Sequence, residues 1–195
     1  MLIRIFDVIL SSLGIILLLP VFLIVSIIIL LESPGGVFYI QERIGKGAIP
    51  FSLIKFRSMR TGSDTKGLLT VGMADNRITK VGLFIRKYKL DELPQLFNVF
   101  IGDMSLVGPR PEVKKYVDLY SSEQRKVLSM RPGMTDLASI VYSNENELLE
   151  KQANPEQYYI DEIMPRKIEL NMEFINSPSL LKYFSLIFKT IIKII

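Results

Sequence analysis

The chain has no cysteine and no histidine. Together these absences remove thiol nucleophiles, disulfides, serine–histidine relays and ordinary zinc sites. Net charge is scarce as well: 24 basic against 20 acidic residues leave +4. That is too little to signal nucleic acid and suits an anionic membrane surface or phosphorylated substrates. The glycines fit neither GxxxxGK[ST] nor GxGxxG, and no βαβ repeat surrounds them, which excludes Rossmann and P-loop nucleotide sites. No internal repeat or second domain is visible. Any catalysis therefore uses carboxylates, Lys, Arg, Tyr, hydroxyls or an oxygen-bound metal.

What the chain has in excess is apolar residues, 49% of 195. Residues 8–31 are uncharged and dominated by Ile, Leu and Val, and at ~1.5 Å rise per residue they are long enough for a ~30 Å hydrocarbon core. Arg4 is matched by Asp7, and Glu32-Ser33-Pro34 follows the run. This is unlike a cleavable signal peptide, so the segment is predicted to be retained. Pro20 near its middle removes a helical hydrogen bond. The residues leave two topologies open: a kinked span, or a broken helix that dips in and returns to the same face.

Turn formers at Ser33-Pro34-Gly35-Gly36 and Gly45-Lys46-Gly47 flank the β-prone runs Val37–Gln41 and Phe51–Phe56, which predicts a hairpin. Lys55 and Arg57 would share a strand face and could meet an anion, or simply edge the strand. Residues 61–76 read as a loop near a substrate entrance or as a connector. Arg77, Lys80, Arg86, Lys87 and Lys89 then form a basic approach to LDELPQLFNVFIGDMSLVGPRP at 90–111. Leu93, Leu96, Phe97 and Phe100 fall at helical spacing, with Pro94 in the first turn and Gly102 as the stop. This places Asp91 and Glu92 at a helix N-terminus, where exposed N–H groups keep an acid ionised and would also accept a phosphate. Alone, the pair reads first as an ordinary cap. Pro109-Arg110-Pro111 holds a guanidinium on a stiff segment suited to a phosphate.

Further on, Ser121–Met130 is predicted as a helix capped by Ser122 and ended by Arg131-Pro132-Gly133. Polar helices interrupted by Pro165 are predicted over 155–176. Between Ser179 and Ile195, Lys182, Lys189 and Lys193 fall within a narrow arc against an apolar remainder, the pattern of a helix lying in the membrane plane.

Arg4-Ile5-Phe6-Asp7, Lys55-Phe56-Arg57, Asp91-Glu92-Leu93-Pro94-Gln95-Leu96, Gly108-Pro109-Arg110-Pro111 and Arg131-Pro132-Gly133, in that order, resemble the bacterial sugar transferases, the monotopic polyprenol-phosphate phosphoglycosyl transferases of small single-domain form. The resemblance covers most of residues 1–140. It implies an α+β, mostly helical protein in three parts: a re-entrant membrane helix broken near Pro20 (1–32), a cytoplasmic catalytic domain with a small hairpin (33–176) and an interfacial amphipathic C-terminal helix (177–195). The family's break falls at a Ser-Pro pair, whereas Leu19 precedes Pro20 here. It also implies that Asp91 attacks the phosphorus of a nucleoside diphosphate sugar, expectedly a UDP-sugar, and passes the phosphosugar to a polyprenol phosphate, releasing UMP. Mg²⁺ (or Mn²⁺) would be held by Glu92 and Asp91, while Arg110, Arg86, Lys55, Arg131 and Pro109 would serve the substrate phosphates. The expected location is the bacterial inner membrane, facing the cytoplasm. A second copy of the chain is a candidate partner and nucleic acid is not. Two rival readings are a UDP-releasing membrane glycosyltransferase and a non-catalytic scaffold of a glycan assembly complex. After Thr135 the chain departs from the commonest family pattern, with Asp136 where a Gly is usual, so sugar preference is not carried over.

Overall fold

The computed structural model describes residues 2–63 and 75–194, so most of the loop expected over 61–76 lies outside the described residues. Helix α1 (Leu2–Glu32) is long and apolar enough to cross a membrane. Arg4, Asp7, Ser11, Gly14, Leu18, Phe22, Val25 and Ile29 form a single stripe along it at three- and four-residue spacing. That stripe meets the rest of the protein from end to end. Arg4 donates to the carbonyls of Val99 (2.5 Å) and Phe100 (2.8 Å), Gly14 faces Leu96, and Phe22, Val25 and Ile29 pack in a core with Phe56 and Ile85. Ile5, Ile9, Leu13, Ile16, Leu17, Leu23, Ile24 and Ile27 line the outward side.

The helix continues through Pro20, and this corrects the expected break. A proline costs one N–H bond and bends a helix, but Leu18, Val21 and Phe22 are packed on the domain on both sides of it and hold the helical path.

The predicted hairpin is present: β1 (Phe38–Ile44) pairs antiparallel with β2 (Pro50–Phe56), with Tyr39 opposite Lys55. Helix α2 (Lys80–Lys87) is capped by the Thr79 hydroxyl, which accepts from Gly82 N–H at 2.9 Å. In place of one helix starting at Asp91, Lys89 adopts a left-handed conformation, Leu90–Glu92 form a 3-10 turn, and α3 (Gln95–Ile101) follows, ending at Gly102 with φ 105°. Phe100 is exposed while Asn98 and Val99 are fully buried, because α3 presents those two to β2. Asn98 bonds the strand's backbone, accepting from Ile54 N–H (3.0 Å) and donating to Ser52 C=O (2.7 Å).

Strand β3 (Ser105–Val107) pairs in parallel with β4 (Gly133–Thr135). A Cβ on Gly133 would lie 2.1 Å from the Gly108 nitrogen, so the two backbones cross where only glycine fits. After α4 (Lys114–Val117), residues Gln124–Ser129 form a 3-10 helix rather than an α-helix. Its N-cap position is Glu123, not Ser122, and in the turn before it the Ser121 hydroxyl accepts from Gln124 N–H while the Gln124 side chain accepts from Ser121 N–H.

Next come α5 (Leu137–Val141), α6 (Glu145–Glu150) and α7 (Pro155–Tyr158). A π-helical turn (Tyr159–Ile163) joins α7 to α8 (Met164–Asn176). Pro165 therefore sits in the first turn of α8, where it needs no donor, and does not interrupt the run as expected. Finally, α9 (Leu180–Ile194) buries Tyr183 and Leu186 and leaves Leu181, Phe184, Phe188, Ile191 and Ile192 outside. The buried Asp7 carboxylate accepts from Ser105 Oγ (2.9 Å), Leu106 N–H (2.9 Å) and Tyr183 O–H (2.8 Å), tying the start of α1, β3 and α9 together.

Candidate active site

Asp91 and Glu92 stand on the 3-10 turn, with β2 on one side and the segment after β3 on the other. The β1–β2 pairing and the Asn98 bridge fix β2, and from near its end Lys55 reaches Glu92 Oε1 at 3.3 Å. The β3–β4 crossing fixes Pro109-Arg110. Gly133 N–H donates to the Pro109 carbonyl at 3.0 Å, and the Arg110 guanidinium forms a two-pronged pair with Glu92, Nη1 to Oε2 at 3.1 Å and Nη2 to Oε1.

A second carboxylate holds Arg110 from behind. Asp136, nearly fully buried, accepts from Arg110 N–H (2.9 Å) and from the Asn171 side-chain amide (2.7 Å) on one oxygen, and from Ser139 N–H (2.5 Å) on the other. It thus caps α5 and pins the arginine's backbone at once. Behind Arg110 a cleft is lined by Pro109, Glu112, Tyr159, Lys167 and Asn171.

The adjacent acids differ in charge environment. Burial raises the pKa of Asp91, the charge of Glu92 raises it further, and Lys55, Arg86 and Lys89 offset only part of that. Burial also acts to raise Glu92, but Arg110 and Lys55 outweigh it and hold Glu92 well below the usual carboxylate range. Burial lowers Lys55, with Glu92 opposing, and Glu92 raises Arg110. The expected stabilisation of the Asp91 charge by a helix N-terminus is therefore outweighed. Asp91 lies in a short 3-10 turn, 7% exposed, and desolvation dominates there. Among the described residues, no side chain donates a hydrogen bond to Asp91. One carboxylate is held low by two cations, and the other, beside it, is raised and accepts no side-chain hydrogen bond among the described residues.

Of the sequence-predicted residues, the structure brings together Asp91, Glu92, Lys55 and Arg110, with Arg86 acting on Asp91 through its charge and Pro109 in the adjoining cleft. Arg131 is bonded elsewhere, Nε to the Gly102 carbonyl at 2.8 Å, where it caps the end of α3. Arg57 also leaves the site: its guanidinium donates to the carbonyls of Pro34 (2.5 Å) and Ser33 (2.8 Å) and closes the end of α1. Sequence reasoning missed Asp136 and Asn171. The available signal was an Asp directly before a short apolar run, which is a cap pattern. It missed Asn98 because nothing local distinguishes a helix-interior Asn that bonds a strand.

The family profile described as Bacterial sugar transferase matches residues 1–195. The chain is 43% identical over 141 residues to a UDP-N-acetylgalactosamine-undecaprenyl-phosphate N-acetylgalactosaminephosphotransferase of Aeromonas hydrophila, covering 70% of this chain and 33% of the relative. It is 41% identical over 140 residues to a UDP-glucose:undecaprenyl-phosphate glucose-1-phosphate transferase of Caulobacter vibrioides, covering 70% and 52%. It is 38% identical over 157 residues to the exopolysaccharide production protein ExoY of Sinorhizobium fredii, covering 73% and 70%. The chain thus spans between a third and about half of the first two relatives.

Proposed function

Because the chain belongs to the bacterial sugar transferase family, we propose that it is a polyprenol-phosphate sugar-1-phosphate transferase working through a covalent phosphosugar on Asp91. The observation that carries this reading is the division of labour between the two acids. Glu92 is bound by Arg110 and Lys55, and Asp91 beside it is unengaged, buried and ringed by cations.

In the first step an Asp91 oxygen attacks the sugar-bearing phosphorus of a nucleoside diphosphate sugar, expectedly a UDP-sugar. The phosphoanhydride bond breaks, and its electron pair leaves with UMP. In the second step an oxygen of a polyprenol phosphate attacks the same phosphorus and expels the Asp91 carboxylate, giving polyprenol diphosphate sugar. One anhydride replaces another, so no further energy source is required. Arg110, Lys55 and Arg86 would neutralise phosphate oxygens, the dominant service a protein gives to phosphoryl transfer.

Magnesium fits the donor set. Mg²⁺ binds through one or two carboxylates plus water and substrate oxygens, and Asp91 and Glu92 supply hard oxygens side by side. Among the described residues there is no group of three or more acidic or softer ligands, so an all-protein cage is not expected. When bound, the ion would screen the diphosphate and polarise the phosphorus.

A membrane placement follows from the acceptor, which cannot leave the bilayer. Both halves of α1 pack on the same domain, which supports a helix with both ends on one side of the bilayer over one that carries its far end across. The outer apolar side chains of α9 support an interfacial seat for it. The inner membrane with the site facing the cytoplasm, where sugar nucleotides are made, is the location this implies.

The test is product identity and adduct trapping. Purified protein with UDP-sugar and polyprenol phosphate should release UMP, and mass spectrometry without acceptor should find a phosphosugar on the peptide holding Asp91. Release of UDP would mean that the sugar–phosphate bond is cut instead and would end this reading. Unchanged turnover in Asp91→Asn would point to a scaffold.

A further inference from the structure

We propose that the outward face of α2, formed by Leu83, Phe84 and Tyr88 and rimmed by Lys87 and Lys89, seats the polyprenyl phosphate acceptor, with the first isoprene units on the aromatic pair and the phosphate among the lysines next to Asp91. This rests on the reaction proposed above and names the surface by which the second substrate reaches the carboxylate.

The face is turned outward by what lies beneath it. Ile85 is buried against α1 and β2, and a Cβ on Gly82 would sit 1.9 Å from the Ser58 carbonyl, so α2 is clamped to the loop after β2 and cannot rotate. Leu83, Phe84 and Tyr88 are consequently 38%, 57% and 45% exposed. Phe84 and Tyr88, one turn apart, hold their rings 4.9 Å apart at 57°, and Lys87 Nζ stands 5.5 Å from the centre of the Tyr88 ring. An apolar wall with ammonium groups on its rim matches a molecule that is hydrocarbon at one end and phosphate at the other. A sugar nucleotide offers a base to stack on one ring but no hydrocarbon to lie along the whole wall, Leu83 included.

Two further features point the same way. Lys89 holds φ +56°, an uncommon conformation for a residue with a Cβ, immediately before the acid pair, and its charge acts on both Asp91 and Glu92. At the other end of α2, Glu32 Oε1 accepts from Val81 N–H at 2.9 Å, so the helix begins where α1 ends, beside the exposed Leu30 and Leu31. Helix α2 thus starts at the end of α1 and leads within three residues of Tyr88 to the turn that carries the reacting carboxylate.

The experiment uses the full chain in lipid nanodiscs, with the double variant Phe84→Ser/Tyr88→Ser and, separately, Lys89→Ser. The KM for polyprenyl phosphate, expressed as mole fraction, should rise about tenfold in the double variant. It should rise roughly fivefold in Lys89→Ser, the equivalent of one lysine–phosphate contact near a membrane surface. In the double variant, which leaves every charge around Asp91 in place, single-turnover UMP release without acceptor should stay within about twofold, well inside the tenfold that a lost 1.4 kcal/mol contact would produce. An unchanged acceptor KM in either variant, or an equal loss in the donor step of the double variant, would overturn the assignment. So would restoration of the acceptor KM by added phosphatidylglycerol, which would make the face a general headgroup contact. The reaction itself is separated by an arm without turnover: Asp91→Asn protein binding a fluorescent polyprenyl phosphate should lose affinity when Lys89 or the aromatic pair is replaced. UDP release by the wild type would refute the covalent route while that binding result still decided the seat.

Discussion

Asp91 and Glu92 are adjacent in sequence and opposite in charge behaviour, and the difference comes from which of them the cations touch. Asp91 must be ionised to attack, and its pKa is raised, so activity should climb with pH through a value above the ordinary aspartate range. Lys55 is one of the charges that hold that value down. Lys55→Met should therefore move the acidic limb of kcat/KM to higher pH, and a limb that stayed or moved down would contradict the assignment. Asp136 offers a second residue-scale test. Asp136→Asn puts an amide donor among the three donors it now satisfies, Arg110 N–H, Ser139 N–H and the Asn171 amide. The cost should be about 1–3 kcal/mol of stability in a denaturant titration. A misplaced Arg110 should also lower kcat/KM by roughly tenfold or more even at temperatures where the variant is fully folded.

At the scale of elements, the site depends on three short pieces meeting: the end of β2, the 3-10 turn before α3, and the segment leaving β3. Asn98 is the bolt between two of them. In Asn98→Ala the Ile54 N–H and Ser52 C=O would both lose their side-chain partner, and the protein should be destabilised by roughly 2–4 kcal/mol. Turnover should fall with it, since β2 carries Lys55. A change under about 1 kcal/mol by chemical denaturation would show that water satisfies these groups equally well. The hairpin and the stop at Gly102 were legible because their signals are local: paired turn residues for one, a left-handed position that glycine tolerates for the other. The helix expected from Asp91 was not one helix: Lys89 is left-handed and the acids take a 3-10 turn, while Leu93 and Pro94 stay in the right-handed region and lead into α3.

For the molecule as a whole, the lie of α1 is the largest question of placement. Its inner stripe runs from Arg4 to Ile29 against one domain, so both ends should remain on one side of the bilayer. The absence of native cysteine makes this directly measurable with single engineered thiols. Leu2→Cys and Gly36→Cys should react with an impermeant maleimide from the same face of sealed, oriented vesicles. Labelling from opposite faces would establish a span and require the stripe to separate from the domain.

By itself the sequence determined which chemistry was open to this protein and which residues were candidates for it. With no His and no Cys, the reactive groups were confined to carboxylates, cations, hydroxyls and an oxygen-bound metal, and Asp91, Glu92, Lys55 and Arg110 stood out as candidates from residue type, backbone stiffness and family resemblance. It also determined a membrane-seeking first segment, since composition and length suffice for that. Tertiary structure alone decided that Arg57 and Arg131 cap helix ends, that Asp136 stands behind Arg110, and that α1 passes Pro20 unbroken. It also decided that the two acids differ in pKa. Each of these depends on burial and on partners distant in the chain, and desolvation and cross-chain hydrogen bonds have no local signature.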